Sequence, residues 1–438
     1  MTEEDVAVNP DACRGASCTD AMRSDTGDAS SVEMDGAIDD VPGAFDVTSE
    51  GSVADDGGGG DVSVTEAGLP DGGVTFGRCV PVGTLLQLST EARQRARTIS
   101  LGTHSAGYWA SWSWLNAGAT QVSFAQISAT GARIGMDTNV VPEFLGSVVG
   151  GGGFAATPSG FSVALHSNFD MGLDIYLQRL TAMGARVGTP VRVVTDRELS
   201  ELPDVIRTAT GEVVVWRSTD DMATSQRLLA SLVVGSTARA PISLTPMGMQ
   251  ASSFDVAFNA TNAVVAMVSR RDSNGDVNLV TLNPDGTVVR TVPLTTSAFV
   301  SEPVAVTLLG GDAIVAWTER TAQSTLKLRR VNLTTGIAGP LVHVPEVGFE
   351  ISQVGLELDR DGVVVAFRAP TMLGGSIAIA RLGPTLALRE GVSRVAPGGP
   401  GDAVTVASRG DGTFGVAWAD EVPMPMRTTA NFQVMRCP

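Results

Sequence analysis

Lysine is almost missing from this chain: of its 30 basic residues, Lys327 alone is not an arginine. Such a bias follows genome composition more readily than selection for bidentate anion recognition. The folded part carries no basic stripe and no interleaving of aromatic with cationic residues, which excludes the electrostatic footprint of a nucleic-acid binder. No run of about 18 apolar residues occurs, so a membrane-spanning helix is not expected. Histidine is scarce as well: His104, His166 and His343 stand far apart, with no Cys, Asp or Glu at metal-ligand spacing, so neither a metal site nor a cofactor is expected. The start, Met-Thr-Glu-Glu-Asp, has neither a positive n-region nor an apolar h-region. Cysteine is sparse, yet its four copies fall into two plausible pairs, Cys13 with Cys18 and Cys79 with Cys437. Disulfides imply an oxidising compartment, so the expected localisation is extracytoplasmic, secreted or cell-surface. An export signal or lipid anchor is then expected upstream of Met1.

What is present divides the chain in two. Residues 1–75 contain 18 acidic residues against Arg14 and Arg23, whereas residues 76–438 hold 29 acids against 28 bases. Nearly all of the net charge of −17 therefore belongs to the leader. The leader is rich in Asp, Gly and Ser, and shows neither helical nor strand periodicity. Such a segment cannot bury enough surface to fold, so a disordered, extended linker is expected. A calcium-binding tail would need recurring ligand spacing, and none is seen.

Residues 76–438 are repetitive. A turn residue followed by a short apolar run ending in a large side chain occurs seven times, with Trp112, Leu165, Trp216, Met267, Trp317, Phe367 and Trp418 as anchors. These anchors are 53, 51, 51, 50, 50 and 51 residues apart, a period that suits a four-stranded unit. A second strand follows each anchor in phase, then a turn such as Asn283-Pro-Asp-Gly286, then a further extended segment. A short strand precedes each anchor, as at 205–209, 304–307 and 404–407. Anchor runs such as 213–216 are apolar at consecutive positions, so both faces must be covered. Face-to-face blades in a radial array provide that, and the fold class expected is an all-β, seven-bladed β-propeller of four-stranded antiparallel blades.

The seventh unit runs out of chain after its third strand, because Cys437 takes the place held by Leu180, Leu282 and Leu382. Residues 79–89 have the form of the fourth strands elsewhere, with Gly83 matching Gly188. The N-terminal strand is thus expected to complete the last blade, and a Cys79–Cys437 disulfide to replace the missing hairpin turn.

The repeat at 175–194 resembles the propeller repeat of secreted and lipid-anchored bacterial surface proteins, in which an Asp/Gly-rich spacer often precedes the ring. The resemblance spans residues 76–438 and implies an extracytoplasmic propeller; its motif is structural and brings no catalytic residues. The sialidase Asp-box is only loosely echoed at Arg409-Gly-Asp-Gly-Thr-Phe414.

Chemistry is harder to read. Gly102-Thr-His-Ser-Ala-Gly107 is one residue too long for a nucleophile elbow and precedes a strand where a helix is needed. Asp272-Ser-Asn-Gly-Asp276 begins like a calcium loop but lacks the rest, and reads as a turn. Trp114 extends past its anchor toward a loop where an indole stacks well on a sugar ring, although core packing explains it too. Topology is more informative. Loops before the first strand and after the second emerge on one face, around the channel mouth. Glu201, Asp204, Asp255, Glu302 and Asp402 come near the starts of first strands, and Arg217, Asp220, Asp221, Arg271, Glu319 and Arg368 follow second strands, a rim of mixed sign. Asp204, Asp255, Glu302, Asp402, Arg217, Arg271 and Arg368 are therefore the candidate ligand-binding face, with a protein or glycan partner expected. The leading expectation is a non-enzymatic binding scaffold. The rival is a propeller-type lyase or glycoside hydrolase, with Asp204 and Glu302 as acid and base.

Overall fold

Consecutive apolar residues on the second strand of every repeat require cover on both faces, and the chain meets that requirement by stacking sheets around an axis. The computed structural model describes residues 79–438 except 90–94, 117–118, 145–148, 158–159, 169–172, 195–198, 221–224, 272–273, 296–299, 321–323, 345–350, 352, 361, 370–375, 390, 398–400, 402, 423–426 and 438. The acidic leader, with Cys13 and Cys18, lies outside the described residues.

The fold is all-β: seven blades of four antiparallel strands form a propeller ring. Blade 4 shows the plan. Its inner strand Gln250–Phe258 pairs with Ala263–Arg271, which pairs with Asn274–Leu282, which pairs with the outer strand Val288–Pro293. The turn before the outer strand is the one expected from Asn283-Pro-Asp-Gly286: Gly286 N–H donates to Asn283 O at 2.9 Å, and Gly286 has φ +87°. Glycine is needed there, since a side chain would be strained at that φ and its Cβ would lie 3.3 Å from Val213 of the preceding blade. Blades 3 and 5 have fragmentary outer strands, Thr237–Ala238 with Ile242–Ser243, and Val342–His343. Pro241 and Pro340 sit in these stretches and cannot donate to a ladder.

The anchors fill the seams. Trp112 packs between blades 7 and 1, Leu165 between 1 and 2, Trp216 between 2 and 3, and Met267 between 3 and 4. Trp317 follows between 4 and 5, Phe367 between 5 and 6, and Trp418 between 6 and 7. Each seam thus has its own apolar cluster, and the repeated anchor is the bulkiest member in most of them; between blades 1 and 2, where the anchor is Leu165, Trp109, Phe124, Phe161 and Tyr176 supply the bulk. Burying such side chains stabilises the ring by roughly 1.5–3 kcal/mol apiece.

The last blade is built from both chain ends. Its inner strands Ala403–Ser408, Thr413–Val422 and Arg427–Arg436 come from the C-terminus, and its outer strand is Val80–Gln87. Val80 pairs with Arg436 and Val82 with Val434, after which the register shifts at Gly83. Gly83, Gly135 and Gly188 have φ of +71°, +71° and +70°, so the matched glycine marks the same outer-strand bulge in blades 7, 1 and 2. Cys79 and Cys437 are joined by a disulfide, with Cα atoms 4.1 Å apart and a sequence separation of 358. The bond stands where a hairpin turn links third and fourth strands in the other blades.

Candidate functional site

The inner strands of all seven blades line one axial channel of about 840 Å³. These strands are Arg95–His104, Val149–Thr157, Leu199–Arg207, Gln250–Phe258, Val300–Leu309, Gln353–Asp359 and Ala403–Ser408. In blades 1 to 5 each inner strand carries a register shift near its start, such as Glu201/Asp204 in blade 3 and Ala251/Ser253 in blade 4. Bulges re-aim the side chains that follow them. In blade 3 the bulge holds Leu202 at φ +49°, a conformation uncommon for a residue with a Cβ, and its N–H donates to His166 Nδ1 at 3.3 Å.

Register shows which residues stand at equal height. Opposite the residue before each anchor stand Ser100, Asp204, Asp255, Ala305, Gly355 and Thr405 in blades 1, 3, 4, 5, 6 and 7. Two consecutive blades therefore offer a carboxyl where the others offer small or hydroxyl side chains. A third, Glu357, lies two residues further along the blade 6 strand, roughly 7 Å down the channel.

The wall beside Asp204 is made of glycine. Blade 2 contributes Gly150, Gly151, Gly152 and Gly153 in succession, and a Cβ on Gly153 would come within 1.6 Å of Asp204 Oδ1. On Gly152 it would meet Pro203 O at 1.4 Å, and on Gly150 the His166 ring at 1.9 Å. The glycine run lets blade 3 approach closely enough to seat Asp204 in the wall.

Each carboxyl accepts from the main chain. Asp204 Oδ1 accepts from Val205 N–H at 2.7 Å, Asp255 Oδ2 from Val306 N–H of the next blade at 2.7 Å, and Glu357 Oε1 from Leu358 N–H at 2.8 Å. Burial dominates their protonation. It holds Asp204 well above the usual carboxylate range, and the nearby Asp255 charge adds to the effect. Burial pushes Asp255 up to about 6 against the opposing pull of the Val306 and Val256 N–H groups. Glu357 is pushed up to about 7 by burial, the Leu358 N–H opposing and the Asp255 charge adding to the rise. Asp255 and Glu357 are thus brought toward neutrality, and carboxyls when ionised attract cations.

The cation among the described channel-lining residues is Arg217. Its Nε donates to Glu201 Oε1 at 3.1 Å and its Nη1 to Ser252 O at 3.1 Å. The Ser252 hydroxyl, also in the channel wall, is sealed from solvent and has no hydrogen-bond partner.

The candidate residues read from sequence thus part company. Asp204, Asp255 and Arg217 gather in the channel wall, inside strands that start earlier than their apolar halves suggest. Arg271 is exposed at the end of a second strand, opposite Asn274. Arg368 is buried and bridges blades 6 and 7, donating to Asp420 Oδ1 at 3.1 Å and Ala419 O at 2.6 Å. Asp402 and the Glu302 side chain lie outside the described residues. Glu357 escaped the sequence reading, although counting back from the Phe367 anchor puts an acid in an inner strand. Trp114 is partly buried, its indole N–H donating to Ser123 Oγ at 2.6 Å. Among the described residues no group of three His, Cys, Asp or Glu is placed to hold a metal ion.

No family model matches the chain, and no curated protein matches its sequence. Solved structures do resemble it. The phage phi92 endosialidase aligns with a TM-score of 0.51 at 8% identity, over 82% of this chain and 70% of its own. A protein of unknown function from Dyadobacter fermentans aligns with a TM-score of 0.50 at 10% identity, over 82% and 99%. The polysaccharide lyase Uly1 aligns with a TM-score of 0.48 at 9% identity, over 82% and 100%. At such identities the likeness is one of fold alone.

Proposed function

We propose that the protein is an extracytoplasmic, non-enzymatic binding scaffold whose ligand, a protein segment or a glycan, presents polar or cationic groups to the axial channel. The observation that carries this reading is the set of three channel carboxyls facing an open cavity, while the charge of Arg217 is already engaged by Glu201. The Cys79–Cys437 bond supports an oxidising compartment. In this reading the leader is a spacer that holds the ring away from an export-derived or lipid-anchored upstream end, as in the surface proteins the repeat resembles.

One observation favours the rival reading, a carbohydrate-active enzyme. Asp255 and Glu357, at about 6 and about 7, are in the range where one carboxyl serves as general acid and another as base. Both readings are tested by presenting the full chain and its D204N/D255N variant to a panel of glycans and basic peptides, with release of cleaved product followed in parallel. The scaffold reading predicts saturable binding, weakened at least about tenfold by the double change, and no product. Unaltered binding by the variant would remove the channel from consideration. Product formed by the wild type and lost in the variant would establish the enzyme instead.

A further inference from the structure

The three channel carboxyls share one setting. Asp204 and Asp255 occupy the same register position in neighbouring blades, and Glu357 reaches the same cavity from blade 6. Each accepts from main-chain N–H groups, Asp255 from two of them, and each lines the channel. The described residues of the inner strands of blades 1, 2, 5 and 7 bring no charged side chain to this cavity, and the one described cation in its wall is Arg217 of blade 3, held by Glu201. No described cation therefore balances three ionised carboxyls. The Ser252 hydroxyl beside Asp255 lacks a partner altogether, so the wall is underbonded as well as uncompensated.

We propose that the axial channel is a proton-switched compartment in which Asp255 and Glu357, in the same cavity as Asp204, change its charge between mildly acidic and neutral surroundings, so that a cationic group is held when they are ionised and released when they are protonated. The switch regulates the binding site proposed above and rests on that reading for its purpose, yet its protons can be followed without any ligand. Like charges gathered in one cavity and partly withdrawn from solvent favour uptake of a proton. The raised positions of all three carboxyls agree with that, Asp255 and Glu357 being pushed to about 6 and about 7.

The sign of the stability effect is fixed by linkage. A carboxyl that binds its proton more tightly in the folded state favours folding in acid. That contribution is complete below the unfolded carboxylate range and is lost as pH rises through the folded values. For Asp255 and Glu357 the loss falls between the ordinary carboxylate range and about 7.

The test compares thermal melting of the full chain with that of its D255N/E357Q variant from about pH 5 to about pH 8.5, alongside carboxyl-carbon NMR titration of the wild type, which needs no variant to fold. Expected are two side-chain carboxyl midpoints near 6 and 7, and a wild-type melting temperature that falls by several degrees relative to the variant as pH rises across them. Parallel melting curves, or carboxyls that all titrate below about pH 5, would overturn the switch. If either appeared while the wild type still bound its ligand in the panel above, the switch would be lost and the binding reading kept. Midpoints near 6 and 7 in a protein that binds nothing on the panel would support the switch and count against the binding reading.

Discussion

The seams between blades and the channel along the axis are built from the same strands, yet they obey opposite rules. Every seam repeats in plan: one anchor per blade in an apolar cluster. The channel does not. At one register position it presents Ser100, Asp204, Asp255, Ala305, Gly355 and Thr405. Packing constrains a seam position in every blade alike, because a void or an overlap is destabilising wherever it occurs. A channel position faces water and is free to differ from blade to blade. Regularity therefore marks what holds the ring together, and departures from it mark where the ring is free to vary.

The contrast can be broken most forcefully at a seam. Trp317 is fully buried between blades 4 and 5, and Trp317→Ala is expected to lower unfolding free energy by about 3–5 kcal/mol in a denaturant titration. A much smaller loss would mean that the seams are not close-packed. A milder change sharpens the contrast from the channel side. Gly153→Ala places a methyl group against Asp204, so it should cost about 1–3 kcal/mol and displace that carboxyl. The carboxyl-carbon shift of Asp204 should move with it, whereas Gly410→Ala, in an exposed turn with no atom near the added Cβ, should leave Asp204 where it is.

Much of this was legible from the residues, and what escaped has a physical reason. The anchors fell on second strands in all seven blades because two-sided burial leaves an unbroken apolar run, as in Val213, Val214, Val215 and Trp216. The closing strand was readable because Gly83 repeats the bulge glycine of Gly188 and because Cys437 stands where a leucine ends other third strands. Inner strands were read short. Only the half of each that packs between blades is apolar, so 205–209 stood out while Leu199–Arg207 is the strand. That shortfall placed Asp204 and Asp255 at the rim rather than in the channel wall. Arg368 was indistinguishable from a loop arginine, since its burial depends on Asp420 of the next blade, 52 residues away. Outer strands of blades 3 and 5 were obscured by proline, which interrupts the ladder as well as the pattern.

All of this presumes a ring whose two chain ends lie side by side in one blade. Protease digestion without reductant, followed by mass spectrometry, examines that directly, with unfolding of the protein before and after reduction as its energetic counterpart. The structure predicts one cross-linked peptide pair containing Cys79 and Cys437, and a loss of about 2–5 kcal/mol when the bond is reduced. Free thiols at both positions in protein purified from an oxidising compartment, or pairing of either cysteine with Cys13 or Cys18, would contradict it.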